Sequence, residues 1–245
     1  MGEPLIIASR LRKRFSGRDA VYGVSFKVAA GEVAAFLGPN GAGKTTTLRM
    51  LSGALEPDAG RAAIAGFDVS DARRLAQAEL GYLPEGAPLF AETNPKSFLK
   101  FIATARGLSG AAKAAGVARA MEAADLQSVA RQTIHTLSKG YRRRVALAAA
   151  IVHDPPVLIL DEPTDGLDPN QKRDVRALIQ RLAETKAVLV STHSLEEVEA
   201  VCSRVLLIHH GRIIADETPA AFAARGDGDL DAAFAALTRP TDAAA

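Results

Sequence analysis

The sequence predicts an α/β fold in which a mostly parallel sheet is covered on both faces, joined to a small antiparallel β layer and interrupted by a helical lobe. Three observations carry that reading. From residue 157 onward short apolar runs alternate with helix-like ones: Val157 to Leu160, Lys172 to Leu182, Val188 to Val190, Leu195 to Val201 and Val205 to Ile208. That is the pattern of parallel strands joined by crossover helices. Upstream, the apolar run Val33 to Leu37 enters a glycine-rich loop and leaves it as a helix-like run, Thr46 to Leu51. Between Asn94 and about Val152 the period becomes helical, with Phe98, Phe101, Ile102 and Ala105 recurring at three and four.

In chain order, Leu5 to Ser9 and Val24 to Val28 read as strands before the loop, and Arg61 to Ala65 as another after the first helix. These three supply the antiparallel layer. One domain is expected over residues 1–226, with a core at 1–90 and 151–226, an inserted helical subdomain at 91–150, and a tail at 227–245. Short apolar strands that end in polar residues place the chemistry at their carboxyl ends, where ligands bind in open α/β sheets.

Composition narrows the function classes. Lysine plus arginine exceed aspartate plus glutamate by only two, 30 against 28, too little for a general nucleic-acid-binding field. The basic run Lys139, Arg142, Arg143 and Arg144 has one aromatic companion, Tyr141, and so lacks a stacking platform. No nucleic-acid partner is expected. The longest uncharged stretch, Val33 to Gly43, is broken by Pro39 and glycines and falls short of the ~18 apolar residues of a membrane helix. Leu5 to Ala8 is too short for the apolar segment of a secretion signal, so a cytosolic location is expected. Cys202 is the only cysteine, which rules out an internal disulfide and predicts a buried thiol without a chemical role. His135, His153, His209 and His210 show no metal spacing.

The most specific signal is Gly38-Pro39-Asn40-Gly41-Ala42-Gly43-Lys44-Thr45-Thr46, a Walker A phosphate loop between a strand and a helix. Bringing peptide N–H groups against phosphate oxygens requires a tight turn that a Cβ would obstruct, hence Gly38, Gly41 and Gly43. The following helix aims its positive end at the phosphates, Lys44 reaches the β and γ oxygens, and the Thr45 hydroxyl ligates Mg²⁺. A nucleoside triphosphate is the expected ligand. Val157-Leu158-Ile159-Leu160-Asp161-Glu162 has the form of a Walker B strand. Asp161 would hold Mg²⁺ through water, and Glu162 would orient and polarise the attacking water.

A third motif, Leu137-Ser138-Lys139-Gly140-Tyr141, precedes Walker B. With it the chain resembles the ATP-binding cassette (ABC) ATPases, whose usual form is LSGGQ. The sequence departs at Lys139 and Tyr141 and keeps Ser138 and Gly140, the positions that contact the γ-phosphate in that family. Ser138 also reads as a helix N-cap. The resemblance implies a P-loop NTPase with a RecA-like core, and it covers about residues 3–220. It makes Phe15, 29 positions before Lys44, the platform for adenine, against a competing reading as a core phenylalanine. It makes Asp168 in Asp165-Gly166-Leu167-Asp168 a D-loop residue linking the two sites of a dimer, and His193 the switch histidine that supports Glu162. Glu85, in Gly81-Tyr82-Leu83-Pro84-Glu85, stands where most relatives carry the Q-loop glutamine. It keeps an oxygen for Mg²⁺ while losing the amide donor.

What the resemblance implies is an ATPase with ATP and Mg as cofactors, acting as a homodimer or heterodimer with another ABC ATPase. Walker A of one chain would face Ser138 of the other. The partner would be an integral-membrane transporter subunit, with the chain peripheral on the inner face of the cell membrane. The run from Tyr82 to Phe90, Leu137 to Tyr141 and Leu167 to Gln171 is similar to type-two exporters, including gliding-motility-like systems. The segment Leu230 to Thr238 echoes a short amphipathic end of that subgroup. Two other readings stay open at this level: a soluble ABC ATPase acting on nucleic acid or ribosomes, and a regulatory nucleotide-binding module without turnover. The transported substrate is not encoded here.

Overall fold

A computed structural model describes residues 3–239; Met1, Gly2 and positions 240–245 of the expected tail lie outside the described residues. In chain order the elements are β1 (Pro4–Phe15), β2 (Arg18–Ala29), β3 (Val33–Leu37), α1 (Lys44–Leu51), β4 (Ala59–Ile64), β5 (Phe67–Asp68), α2 (Arg73–Ala78) and β6 (Leu80–Leu83). Then come α3 (Pro95–Ala105), α4 (Gly110–Ala123), two single 3-10 turns, and α5 (Lys139–Ile151). The remainder is β7 (Val157–Asp161), α6 (Pro169–Ala183), β8 (Ala187–Thr192), α7 (Leu195–Val201), β9 (Arg204–His209), β10 (Arg212–Glu217), α8 (Pro219–Ala224) and α9 (Leu230–Thr238).

Two sheets result. The larger has the order β10-β9-β3-β8-β7-β6, parallel except for β10 against β9; the smaller, β2-β1-β4-β5, is antiparallel. Strand β3 shows why the larger sheet sits in the middle. Its five residues are all buried, and alternate side chains face opposite ways. Ala34 and Phe36 join Leu48, Met50 and Leu51 of α1 and the inner face of the antiparallel sheet. Ala35 and Leu37 face Val198 of α7, Phe222 of α8 and Ala233 of α9. Strands β7 and β8 split likewise: Ile159 and Leu189 face the antiparallel layer, while Leu158, Leu160, Val188 and Val190 face the helical side, where Leu147 of α5 and Ile179 of α6 cover them.

The differences from the sequence pattern have physical causes. Strands β1 and β2 extend beyond their apolar centres because exposed positions such as Arg12, Arg14 and Arg18 carry the antiparallel ladder with one wet face. Strand β10 follows Ile208 through a hairpin in which His210 and Gly211 both take positive φ (45° and 72°), the conformation of a tight primed turn. In α3 the buried stripe is Phe98, Leu99 and Ala103, whereas Phe101 is 52% exposed and Ala105 is exposed. The helical period is present, with Phe98 and Ile102 toward the core and Phe101 and Ala105 toward solvent. Helix α9 packs Leu230, Phe234 and Leu237 against the cluster that contains Phe222.

Candidate functional site

The site follows from the parallel register. Leu37 of β3 pairs with Thr192 of β8, Ser191 of β8 with Asp161 of β7, and Leu160 of β7 with Leu83 of β6. All four strands therefore end at one level, and the loops that leave them meet over a single edge. The phosphate loop leaves β3, Glu162 leaves β7, His193 leaves β8 and Glu85 follows β6. Together Gly41, Gly43, Lys44, Thr45, Thr46, Glu85, Asp161, Glu162 and His193, with Pro39 and Asn40, line one hollow of about 280 Å³.

The loop is shaped by what its glycines touch. Gly43 takes φ 108° as the N-cap of α1, and a Cβ there would stand 2.5 Å from the Ala20 carbonyl oxygen; one on Gly38 would stand 2.3 Å from that of Ile208. Ala42 is buried behind the loop. Lys44 Nζ donates to the Gly38 carbonyl at 2.6 Å and to that of Pro39 at 3.3 Å. Burial lowers the Lys44 pKa from its ordinary value, against the opposing pull of Glu162, Asp161 and Glu85. Helix α1 directs the N–H groups of its first turn into the hollow, where a polyanion would satisfy them.

Opposite the loop, burial pushes the Asp161 carboxyl above the usual carboxylate range; the Ser191 hydroxyl opposes that rise and the neighbouring Glu85 charge adds to it. Its Oδ2 is buried without a hydrogen-bond partner. A buried carboxylate oxygen left unsatisfied beside a threonine hydroxyl suits a hard cation. Among the described residues no three His, Cys, Asp or Glu side chains form a metal cage of their own, so such an ion would also need phosphate oxygens, as Mg²⁺ sites commonly do. Glu162 takes φ 50°, its N–H donates to the Ser191 carbonyl at 2.9 Å, and its Oε1 lies 2.9 Å from His193 Nδ1.

Four other residues singled out from the sequence do not line this hollow within one chain. Ser138 caps α5, its Oγ accepting from Tyr141 N at 3.3 Å. Gly140 lies against Gln171, whose side chain a Cβ would meet at 2.3 Å. Asp168 caps α6, accepting from Gln171 N at 3.0 Å. Phe15 ends β1, is 48% exposed and belongs to no apolar cluster, which overturns its competing reading as a core residue. Cys202 follows α7 rather than lying in it, and burial pushes its thiol up to about 12.

Sequence reasoning missed three participants. Asp165 lines the hollow, although in the stretch Asp165-Gly166-Leu167-Asp168 only Asp168 was given a role. Thr164 donates to the buried carboxyl of Glu197 at 2.8 Å, bracing the segment after Glu162. Arg143, noted only as part of a basic run without a stacking platform, points inward beneath Walker B. Only the helical phase of α5 separates it from Arg142 and Arg144.

A strand–glycine loop–helix unit facing a strand-end carboxylate pair at the edge of a parallel sheet defines a P-loop NTPase. Residues 21–165 match the family described as ABC transporter. The chain belongs to that family. It is 41% identical over 225 residues to the Nod factor export ATP-binding protein I of Paraburkholderia xenovorans (strain LB400), covering 91% of this chain and 74% of the relative. It is 37% identical over 219 residues to the probable multidrug ABC transporter ATP-binding protein YbhF of Escherichia coli (strain K12), covering 89% of this chain. The chain spans only 38% of the length of that relative. A solved ATP-binding subunit of an ABC transporter superposes with a TM-score of 0.86 at 28% identity, over 96% of this chain and 100% of the other.

Glu85 yields a first prediction. Its carboxylate shares the hollow with Thr45 and Asp161, so Glu85→Gln should remain active while needing about threefold or more Mg²⁺ for half-maximal phosphate release, the effect of removing one charge at short range. Superimposable Mg²⁺ titrations of parent and variant would place Glu85 away from the metal.

Proposed function

We propose that this chain is the ATP-hydrolysing subunit of an ABC exporter. The observation that carries the reading is the placement of Glu162, beside the Walker B aspartate and braced by His193, opposite Lys44 across one hollow. That arrangement disfavours a regulatory module without turnover, which would not need a positioned base. ATP is held by Gly38 to Thr46, with Phe15 as the adenine platform. Mg²⁺, held by Thr45 and Asp161 with Glu85 close by, would neutralise charge on the β- and γ-phosphates. Glu162 orients the attacking water and accepts its proton, His193 fixes the carboxylate and reaches toward the γ-phosphate, and Lys44 stabilises the transferred group electrostatically.

Ser138, Gly140 and Asp168 complete the site only from a second cassette, because within one chain they lie outside the hollow. Shared phosphate charge then closes the dimer, homomeric or with a different ABC ATPase, and hydrolysis reopens it. In this reading 1–90 and 151–226 form the motor core, 91–150 the inserted lobe and 227–245 a tail. No helix of the described residues is long and apolar enough to cross a membrane. We place the chain on the cytoplasmic face of the cell membrane, driving a separate integral-membrane subunit.

The surface for that subunit is a groove of about 540 Å³ between core and lobe, lined by Tyr82, Pro88, Leu89, Phe98, Ile102 and their neighbours. Phe90 stands close by, 48% exposed, with its ring 5.5 Å from Phe98 and 5.1 Å from the exposed Phe101. A helix lying in such a groove depends on a few large anchors, each worth ~2 kcal/mol or more. Phe90→Glu should keep nucleotide binding and lower capture of the membrane subunit roughly thirtyfold. The function itself is tested by Mg²⁺-dependent phosphate release from the purified chain and by co-purification with that subunit. Undiminished capture of the variant would move the docking surface elsewhere, and co-purification with RNA instead would sink the exporter reading.

A further inference from the structure

Arg143 gathers carbonyls that belong to the catalytic turn. Its Nε donates to the Pro163 carbonyl at 3.1 Å, Nη1 to that of Pro84 at 3.4 Å, and Nη2 to that of Asp161 at 2.5 Å and also to that of Glu162. One guanidinium thus ties three successive carbonyls of the turn after β7 to the residue that precedes Glu85. A planar fork of five N–H donors can satisfy such a set; an ammonium on a flexible stem cannot do so at once.

The turn needs holding. Glu162 lies in the left-handed region at φ 50°, which a residue with a long side chain seldom occupies unless its surroundings impose it. On the amide side β8 imposes it, through the bond from Glu162 N–H to Ser191. On the carbonyl side the group in place is Arg143. Its helix, α5, is the one that Ser138 caps and that packs against α3 and α4 of the same inserted lobe. A displacement of α5 is therefore transmitted to the backbone of Glu162 and, through Pro84, to the segment carrying Glu85.

We propose that Arg143 is a positioning residue for hydrolysis, fixing the Glu162 turn and linking it to the lobe and to the Glu85 segment. The inference rests on Glu162 being the general base. Displacing such a group by about an ångström can cost on the order of a hundredfold in rate. Arg143→Gln should lower kcat for ATP about 10- to 100-fold while KM stays within about twofold. Arg143→Lys, which keeps the charge and reaches fewer carbonyls, should fall between variant and parent.

Hydrogen exchange provides the second readout. Residues 161–166 should exchange faster in Arg143→Gln, while the phosphate loop at 38–46 keeps the protection of the parent. Parent-like kcat in both variants overturns the proposal. So does loss of protection spread over the whole chain together with a lowered melting temperature in both, which would make Arg143 a support of the fold alone. A parent chain that releases no phosphate overturns instead the reading of Glu162 as the base. In that event exchange still decides the tie: faster exchange confined to 161–166 supports it, and unchanged exchange removes it.

Discussion

Glu162→Gln should bind MgATP with near-parental affinity and release phosphate about 10²- to 10⁴-fold more slowly, the usual contribution of a positioned general base. The substitution is nearly isosteric, and an amide oxygen can still accept from His193 Nδ1, now 2.9 Å from the carboxylate, so the turn keeps its geometry. What is lost is the proton acceptor. A chain that binds ATP and cannot discharge it should accumulate in the closed state, because the nucleotide supplies the charge that both cassettes share. Light scattering with MgATP should then report a dimer for the variant and mostly monomer for the parent at steady state. Lys44→Ala provides the contrast, weakening nucleotide binding itself and thereby separating a binding group from a catalytic one. A variant that stays monomeric at concentrations where nucleotide is bound would sink the composite-site model for the isolated subunit.

That experiment draws on residues legible in the sequence, and the reason they were legible is physical. A phosphate loop is written in glycines because only glycine permits the approach of Gly43 to the Ala20 carbonyl and its φ of 108°. Walker B is written as four apolar residues and two acids because a strand buried on both faces must be apolar until it reaches the sheet edge. Such constraints act on neighbours in the chain, so the local pattern records them. The same holds for β3, whose bounds coincide with the apolar run Val33 to Leu37, and for α7 at Leu195–Val201.

Constraints between distant segments leave a fainter record. Arg143 meets its carbonyls across separations of 18 to 20 residues to Walker B and 59 to Pro84, and nothing local distinguishes it from the arginines on either side. Strand β6 is four residues whose place in the sheet comes from pairing with β7; as a sequence it is only the approach to Glu85. The buried face of α3 is faint in the sequence for a related reason. Phe101 satisfies the helical period, yet Phe90 and the groove beside it leave its ring on the surface. Helix period is a local property, whereas the direction of the buried face is set by what packs there.

Asp161→Asn should raise the melting temperature of the nucleotide-free chain while abolishing Mg²⁺-dependent turnover. In the folded protein the Asp161 carboxyl loses hydration by burial, its Oδ2 has no hydrogen-bond partner, and Glu85 adds repulsion. The folded pKa therefore lies above the unfolded one. Near neutral pH the ionised group costs stability, and that cost is relieved as pH falls through the raised folded value, where the native state takes up a proton before the unfolded state does. An amide carries no charge to desolvate. Ser191, whose hydroxyl lies beside the carboxyl and partly offsets the rise, can still pair with the amide. Relieving one unsatisfied buried group is worth about 1 kcal/mol or more, or roughly 2–4 °C for a chain of this size. Melts without nucleotide at successively lower pH, from neutral toward the ordinary carboxylate range, should show the parent gaining on the variant. Melts with MgATP should reverse the order, because only the parent carboxylate can anchor the ion that offsets its burial. If the variant melts below the parent in the absence of nucleotide, with the same pH dependence, the aspartate is supporting the fold through contacts other than those described, and its strain is not the cost of holding a cation.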